Sequence, residues 1–115
     1  MDNIQTCYHF KQDIERVWLI IRSFDILILI SNADDYPCVI IKGQDTWKEG
    51  NIFKGNSYGL FPFVGKVNKS VNFPEMKKIE WLFNVKDNDY FMLKIELFKV
   101  NEDKTTVALR EFKFE

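Results

Sequence analysis

Apolar and polar positions alternate with a period of two through most of the last third of the chain. Ile79, Trp81, Phe83 and Val85 are interleaved with Glu80, Asn84 and Lys86, and Phe91, Leu93, Ile95 and Leu97 with Met92, Lys94 and Glu96. After the polar turn Asn101-Glu102-Asp103-Lys104, a third segment runs to Glu115. Successive side chains of a strand point to opposite faces, so this spacing predicts three antiparallel strands joined by short turns and sharing one apolar wall. Such a wall needs a cover, and the long apolar stretch near the N-terminus is the material available for it.

In residues 4–10, Ile4, Thr6, Tyr8 and Phe10 alternate with Gln5, Cys7 and His9, which predicts a first strand. Asp13 is placed to cap a helix on which Ile14, Val17, Trp18 and Ile21 share one face, with Glu15, Arg16 and Arg22 off it. Asp25 can cap a second short helix over residues 26–30, although that composition would equally suit a strand. Pro37 closes the following loop, residues 38–42 are β-rich, and a tight turn at Gly50 leads into a strand through Phe53. Gly55, Gly59 and Gly65 punctuate a segment carrying Leu60, Phe61, Phe63 and Val64. Residues 67–73 alternate weakly before Pro74 turns the chain into the meander. The predicted order is one strand, two helices and about six strands, in a single domain spanning residues 1–115.

Residues 17–30 must be tested as a membrane span. The run has 14 residues and carries Arg22 and Asp25, whereas a spanning helix needs about 20 apolar residues, so a buried helix pair fits better and the protein is not transmembrane. It also lacks the basic start and small-residue cleavage site of a secretory signal. With Cys7 and Cys38 as the two cysteines, the expectation is reduced thiols and a cytoplasmic location. The Asn68-Lys69-Ser70 sequon then carries no weight. A net charge of −1 supplies no basic field, which argues against a nucleic-acid partner.

Catalytic chemistry needs converging polar groups, and the sequence offers few. His9 is the single histidine and reads as a structural, hydrogen-bonded residue. Without a second histidine or a close cysteine pair there is no metal site, and no cofactor motif occurs. Asp87-Asn88-Asp89 lacks the glycine and distal glutamate of a calcium loop and reads as a solvated turn. Glu111 falls in the phase that points Val107 and Leu109 inward; a bulge near the strand end is the simpler explanation for a carboxylate there. An inward carboxylate would be suited to fixing a ligand headgroup.

What the chain does have is aromatic side chains, 16% of residues with eleven phenylalanines. Trp18, Trp81, Phe83, Leu93, Ile95 and Leu97 would line one interior, either as plain core or as a ligand wall. Phe53, Leu60, Phe61 and Phe63 cluster around glycines, where loops could form a cavity mouth.

Four stretches resemble the START-like, Bet v 1-like (SRPBCC) superfamily, the helix-grip fold. They are Asp13-Ile14-Glu15-Arg16-Val17-Trp18, the hairpin Trp47-Lys48-Glu49-Gly50-Asn51-Ile52-Phe53, Lys78-Ile79-Glu80-Trp81, and Glu102-Asp103-Lys104-Thr105-Thr106-Val107-Ala108-Leu109. The resemblance implies an α+β fold in which a curved antiparallel sheet of about six or seven strands grips two short N-terminal helices around an apolar cavity. The superfamily's C-terminal closing helix has no counterpart before Glu115, so the expectation is that the chain is a fragment truncated at its C-terminus, that the grip is open, or that a partner covers it. The function expected is non-enzymatic binding of a hydrophobic small molecule or lipid by Trp18, Phe53, Phe61, Phe63, Trp81, Phe83, Leu93, Ile95 and Leu97. The alternative is a protein-interaction module, co-chaperone-like or a subunit of a larger assembly, whose open groove a protein partner covers.

Overall fold

The computed structural model describes residues 2–23, 38–40, 46–57, 61–86 and 89–114, and side chains for 5–23, 46–54, 64–84, 90 and 92–112. Strand β1 (Asp2–Phe10) leads into helix α1 (Ile14–Ser23). The strands β2 (Cys38–Ile40), β3 (Ile52–Ser57), β4 (Phe61–Asn72), β5 (Met76–Lys86), β6 (Asp89–Asn101) and β7 (Lys104–Phe114) follow. All seven form one antiparallel sheet in the order β1-β7-β6-β5-β4-β3-β2. The architecture is the α+β helix-grip expected from the sequence, with α1 packed over β6 and β7. The second predicted helix, residues 26–30, lies outside the described residues.

Helix α1 starts where the sequence places it. Asp13 Oδ1 accepts from the backbone N–H of Arg16 at 2.9 Å, which satisfies one donor left free by the first turn. Ile14, Val17, Trp18 and Ile21 are its buried face, and they meet Phe53, Val67, Ile79, Trp81, Phe83, Leu93, Ile95, Leu97 and Val107 from the sheet in one apolar layer.

One segmentation is corrected. While Gly55 lies in β3, Phe61, Phe63, Val64 and Gly65 share a single strand of twelve residues, β4, with residues 67–72. Gly65 does not break it; it sits opposite Phe53 on β3, and the Phe53 ring occupies the space that a β-carbon at Gly65 would need. The true irregularity is a register shift between Val67 and Lys69 against β5, a bulge of the kind that bends a strand. The turn at Gly50 is as expected, with φ of +87°, and its N–H donates to Val67 O at 2.8 Å, tying the β3 approach to β4.

Lys77 is the residue the alternation left unexplained. It shares the inner face with Leu97 and Ile79, yet its side chain is 1% exposed. Its ammonium donates to Asn72 Oδ1 and, at 3.2 Å, to Phe73 O, and lies 2.8 Å from Glu15 Oε1 on α1. The stem is buried while the charge is fully coordinated at the edge of the layer.

Candidate functional site: the inner wall of the sheet

The register fixes the inner wall. Phe53 pairs with Gly65, Gly65 with Phe83, Val67 with Trp81, Trp81 with Leu93, Ile79 with Ile95, and Leu97 with Val107. Side chains opposite one another across antiparallel strands share a face, so the wall runs from β3 to β7. Four inter-strand spacings make it about 19 Å wide, against about 10 Å for one helix. The wall is therefore about twice as broad as α1.

Three indoles cross that interior. Trp18 on α1 stands edge-to-face to Trp47 at 5.8 Å between ring centroids, and Trp47 in turn to Trp81 on β5 at 5.1 Å. Trp81 Nε1 donates to Thr46 O at 2.5 Å, which holds the chain before β3 against the sheet. Phe53 and Phe83 form a further edge-to-face pair at 5.6 Å. Such contacts add about 0.5–1.5 kcal/mol each beyond area burial and fix ring orientation.

Of the nine side chains the sequence singled out, Trp18, Phe53, Trp81, Phe83, Leu93, Ile95 and Leu97 come together in this layer, all buried. Phe53 is on a strand, β3, as the sequence predicts, and lies in the middle of the core instead of at a cavity mouth, because Gly65 opposite it leaves room for its ring. The backbone places Phe61 opposite Ser57 and Phe63 opposite Gly55, both on β4; their side chains, and residue 60 altogether, lie outside the described residues.

Sequence reasoning passed over Trp47 and Val67 as wall residues, while Val107 lies inward as its phase predicts. Trp47 had no periodicity to reveal it, being in the turn before β3, and Val67 was legible only as a strand position.

Glu111 is the buried carboxylate of the wall among the described residues. The β6–β7 register runs unbroken from Thr105 to Phe114, pairing Glu111 with Leu93, and Glu111 is 2% exposed. The bulge favoured from the sequence is absent there, so the inward phase stands.

At the β1 edge the inner face is open. Tyr8 and Phe10 pair with Val107 and Thr105 and share their face, but remain 49% and 43% exposed, with ring centroids 6.5 Å apart. His9 points the other way and shares a 3.1 Å hydrogen bond with Thr106 Oγ1, a structural cross-strand contact. Cys7 is a free, exposed thiol.

The outer face is a charge lattice. Glu80 lies 3.4 Å from both Lys78 and Lys94 and accepts from Asn68 Nδ2 at 3.2 Å. Burial pushes the Glu80 carboxyl up, but the Asn68 amide and the two ammoniums outweigh it and hold the carboxyl below its ordinary value. Glu96 and Arg110 pair at 3.5 Å alongside. Among the described residues no group of three His, Cys, Asp or Glu could hold a metal ion, and no helix is long and apolar enough to cross a membrane.

No protein-family model and no curated protein matches the sequence. Solved structures do match by shape. A hypothetical protein from Helicobacter pylori superposes with a TM-score of 0.66 at 13% identity, over 97% of this chain and 69% of that one. An HSP90 activator from Plasmodium falciparum gives 0.59 at 16% identity, over 98% and 74%. Truncated norcoclaurine synthase from Thalictrum flavum gives 0.60 at 13%, over 99% and 76%.

These likenesses correct one expectation, that the protein is not an enzyme. Norcoclaurine synthase is an enzyme on this fold, seen in complex with dopamine and hydroxybenzaldehyde. The scarcity of local motifs therefore carries no weight against catalysis, since a sheet interior can assemble polar groups from separate strands, as the inward Glu111 illustrates. At identities of this size the comparison speaks to architecture, and the architecture is that of the Bet v 1-like structures: a curved antiparallel sheet gripping a helix.

Proposed function

We propose that this chain is a START-like, Bet v 1-like domain that binds an apolar small molecule or lipid between sheet and helix, in the cytoplasm. The observation that carries the reading is the inner wall itself. It is aromatic-rich, about twice as broad as the helix on it, and interrupted at one end by a single buried carboxylate, Glu111. Ligand pockets combine this kind of apolar lining with a few placed polar groups. Trp18, Trp81, Phe83, Phe53, Leu93, Ile95 and Leu97 would contact the ligand, with Phe61 and Phe63 on β4 at the β3 side. The test is titration with a long-chain fatty acid, a sterol and 2-acetonaphthone, followed by tryptophan emission, because the three tryptophans all stand at this layer. A saturable change with at least one supports the reading; no change with any of them overturns it.

A second reading rests on a different observation, the open inner face at β1. Tyr8 and Phe10 on the strand, and Leu19 and Ile20 on α1, are large apolar side chains in water. A protein partner docking there would cover them, and the similarity in fold to an HSP90 activator is consistent with an interaction role. Tyr8→Ser with Phe10→Ser should abolish partner capture while leaving ligand titration unchanged; capture that survives the pair of changes would remove this reading.

A further inference from the structure

Buried indole N–H groups find acceptors, because an enclosed donor without one costs about 1–3 kcal/mol. Trp81 obeys: its Nε1 donates to Thr46 O. Trp18 does not. Its side chain is 95% buried in the layer between α1 and the sheet, and its Nε1 has neither solvent nor a hydrogen-bond partner among the described residues. The other buried donor left without a hydrogen bond there, Arg110 Nε, is in an ion pair with Glu96 on the outer face. Trp18 Nε1 is thus the one donor of the inner layer with no bond of either kind among the described residues. A phenylalanine at this position would fill apolar volume without stranding a donor, so packing alone does not account for the indole.

We propose that Trp18 Nε1–H is the polar anchor of the interior site, and that the ligand is an apolar molecule carrying a neutral oxygen acceptor, such as a ketone, ester or ether. The inference rests on the reading that the interior binds an apolar molecule and adds the group that orients it. The edge-to-face stack supports this. Trp47 holds the Trp18 ring at 5.8 Å, and Trp81 holds Trp47, so the indole cannot turn freely to find an acceptor elsewhere. A donor so fixed is pre-organised, and a ligand oxygen meeting it loses little entropy in forming the bond. A neutral acceptor suits the site better than an anion, because stripping an anion of its water in an apolar interior costs far more than one indole hydrogen bond returns.

The experiment uses a matched pair of probes, 2-acetonaphthone and 2-isopropenylnaphthalene, which differ in C=O against C=CH2 at nearly constant shape. Binding is measured by isothermal titration, and nitrogen–proton correlation spectra follow the Trp18 indole signal, assigned by its loss in Trp18→Phe. The expected result is that the ketone binds about three- to tenfold tighter than the alkene, the size of one net hydrogen bond. The ketone should also move the Trp18 indole proton downfield, and Trp18→Phe should bind both probes equally. Equal binding of both probes by the native chain, with the Trp18 signal unmoved, overturns the anchor and leaves the interior site standing. Failure of both probes to bind counts against the interior site itself. If Trp18→Phe does not fold, Trp47→Phe and Trp81→Phe assign the remaining signal, and the native chain alone decides.

Discussion

The ring of Phe53 lies where a β-carbon at Gly65 would have to be. One residue's missing side chain is the other's packing space, and the pair joins β3 to β4 at the deepest part of the wall. Gly65→Ala should therefore destabilise the fold by about 1–3 kcal/mol through overpacking. In a Phe53→Leu background the same change should cost clearly less, because the two sites share one volume. Urea melts of the four proteins measure this; an unchanged cost in both backgrounds would show that the contact is not the cause.

Lys77 anchors the first turn of α1 to the β4–β5 turn through Asn72, Phe73 and Glu15. Lys77→Met keeps the buried stem and removes the charge-assisted bonds, so a loss of about 1.5–3 kcal/mol is expected. Glu15→Gln should lie within about 1 kcal/mol of the native chain, since Glu15 is two-thirds exposed to water. Denaturant midpoints at constant slope separate the two; equal losses would mean that the exposed ion pair, and not the buried bonding, holds the helix.

Trp81→Phe removes the donor to Thr46 O and leaves that carbonyl short of a partner beside the core. A loss of about 1–3 kcal/mol is expected from the bond, with the smaller ring adding to it. The accompanying sign is faster amide exchange at residues 46–51, because the bond ties that turn to the sheet. Exchange there at the native rate would contradict the role given to the indole.

Glu80 sets an acid limb. Its folded-state pKa is lowered from an ordinary 4.5 by Asn68, Lys78 and Lys94 acting against burial. A carboxylate of this kind contributes stability that is fully present above the unfolded value and is lost as pH falls through the folded one. Thermal midpoints of the native chain and Glu80→Gln should thus differ most above about pH 5 and converge as pH drops below 4.5. Curves that stay parallel down to strong acid would mean that Glu80 ionisation is not coupled to folding.

Much of this fold could be read from alternation. The period of two in β1, β5 and β6 and the helical spacing of Ile14, Val17, Trp18 and Ile21 are one-dimensional records of a wall and its cover. Where the reading slipped, the deciding interaction was remote in sequence. Gly65 resembles a breaker until Phe53, twelve positions earlier, is seen to need its space. Lys77 puts a charge in the inward phase of β5, which makes sense only once its ammonium is found among Asn72, Phe73 and Glu15. Trp47 sits in a turn, where no periodicity could mark it as the indole between Trp18 and Trp81. Glu111 was legible by phase and was set aside because an inward carboxylate is costly; the unbroken register keeps it inward.

Native mass spectrometry of the chain, purified without denaturation and then incubated with 2-acetonaphthone or a long-chain fatty acid, tests the central claim most directly. The account predicts the mass of the polypeptide plus one apolar small molecule, carried from the source or taken up from solution. A bare polypeptide mass after every incubation would contradict it, and the mass of a second polypeptide alone would move the function from the interior to the open face beside Tyr8 and Phe10.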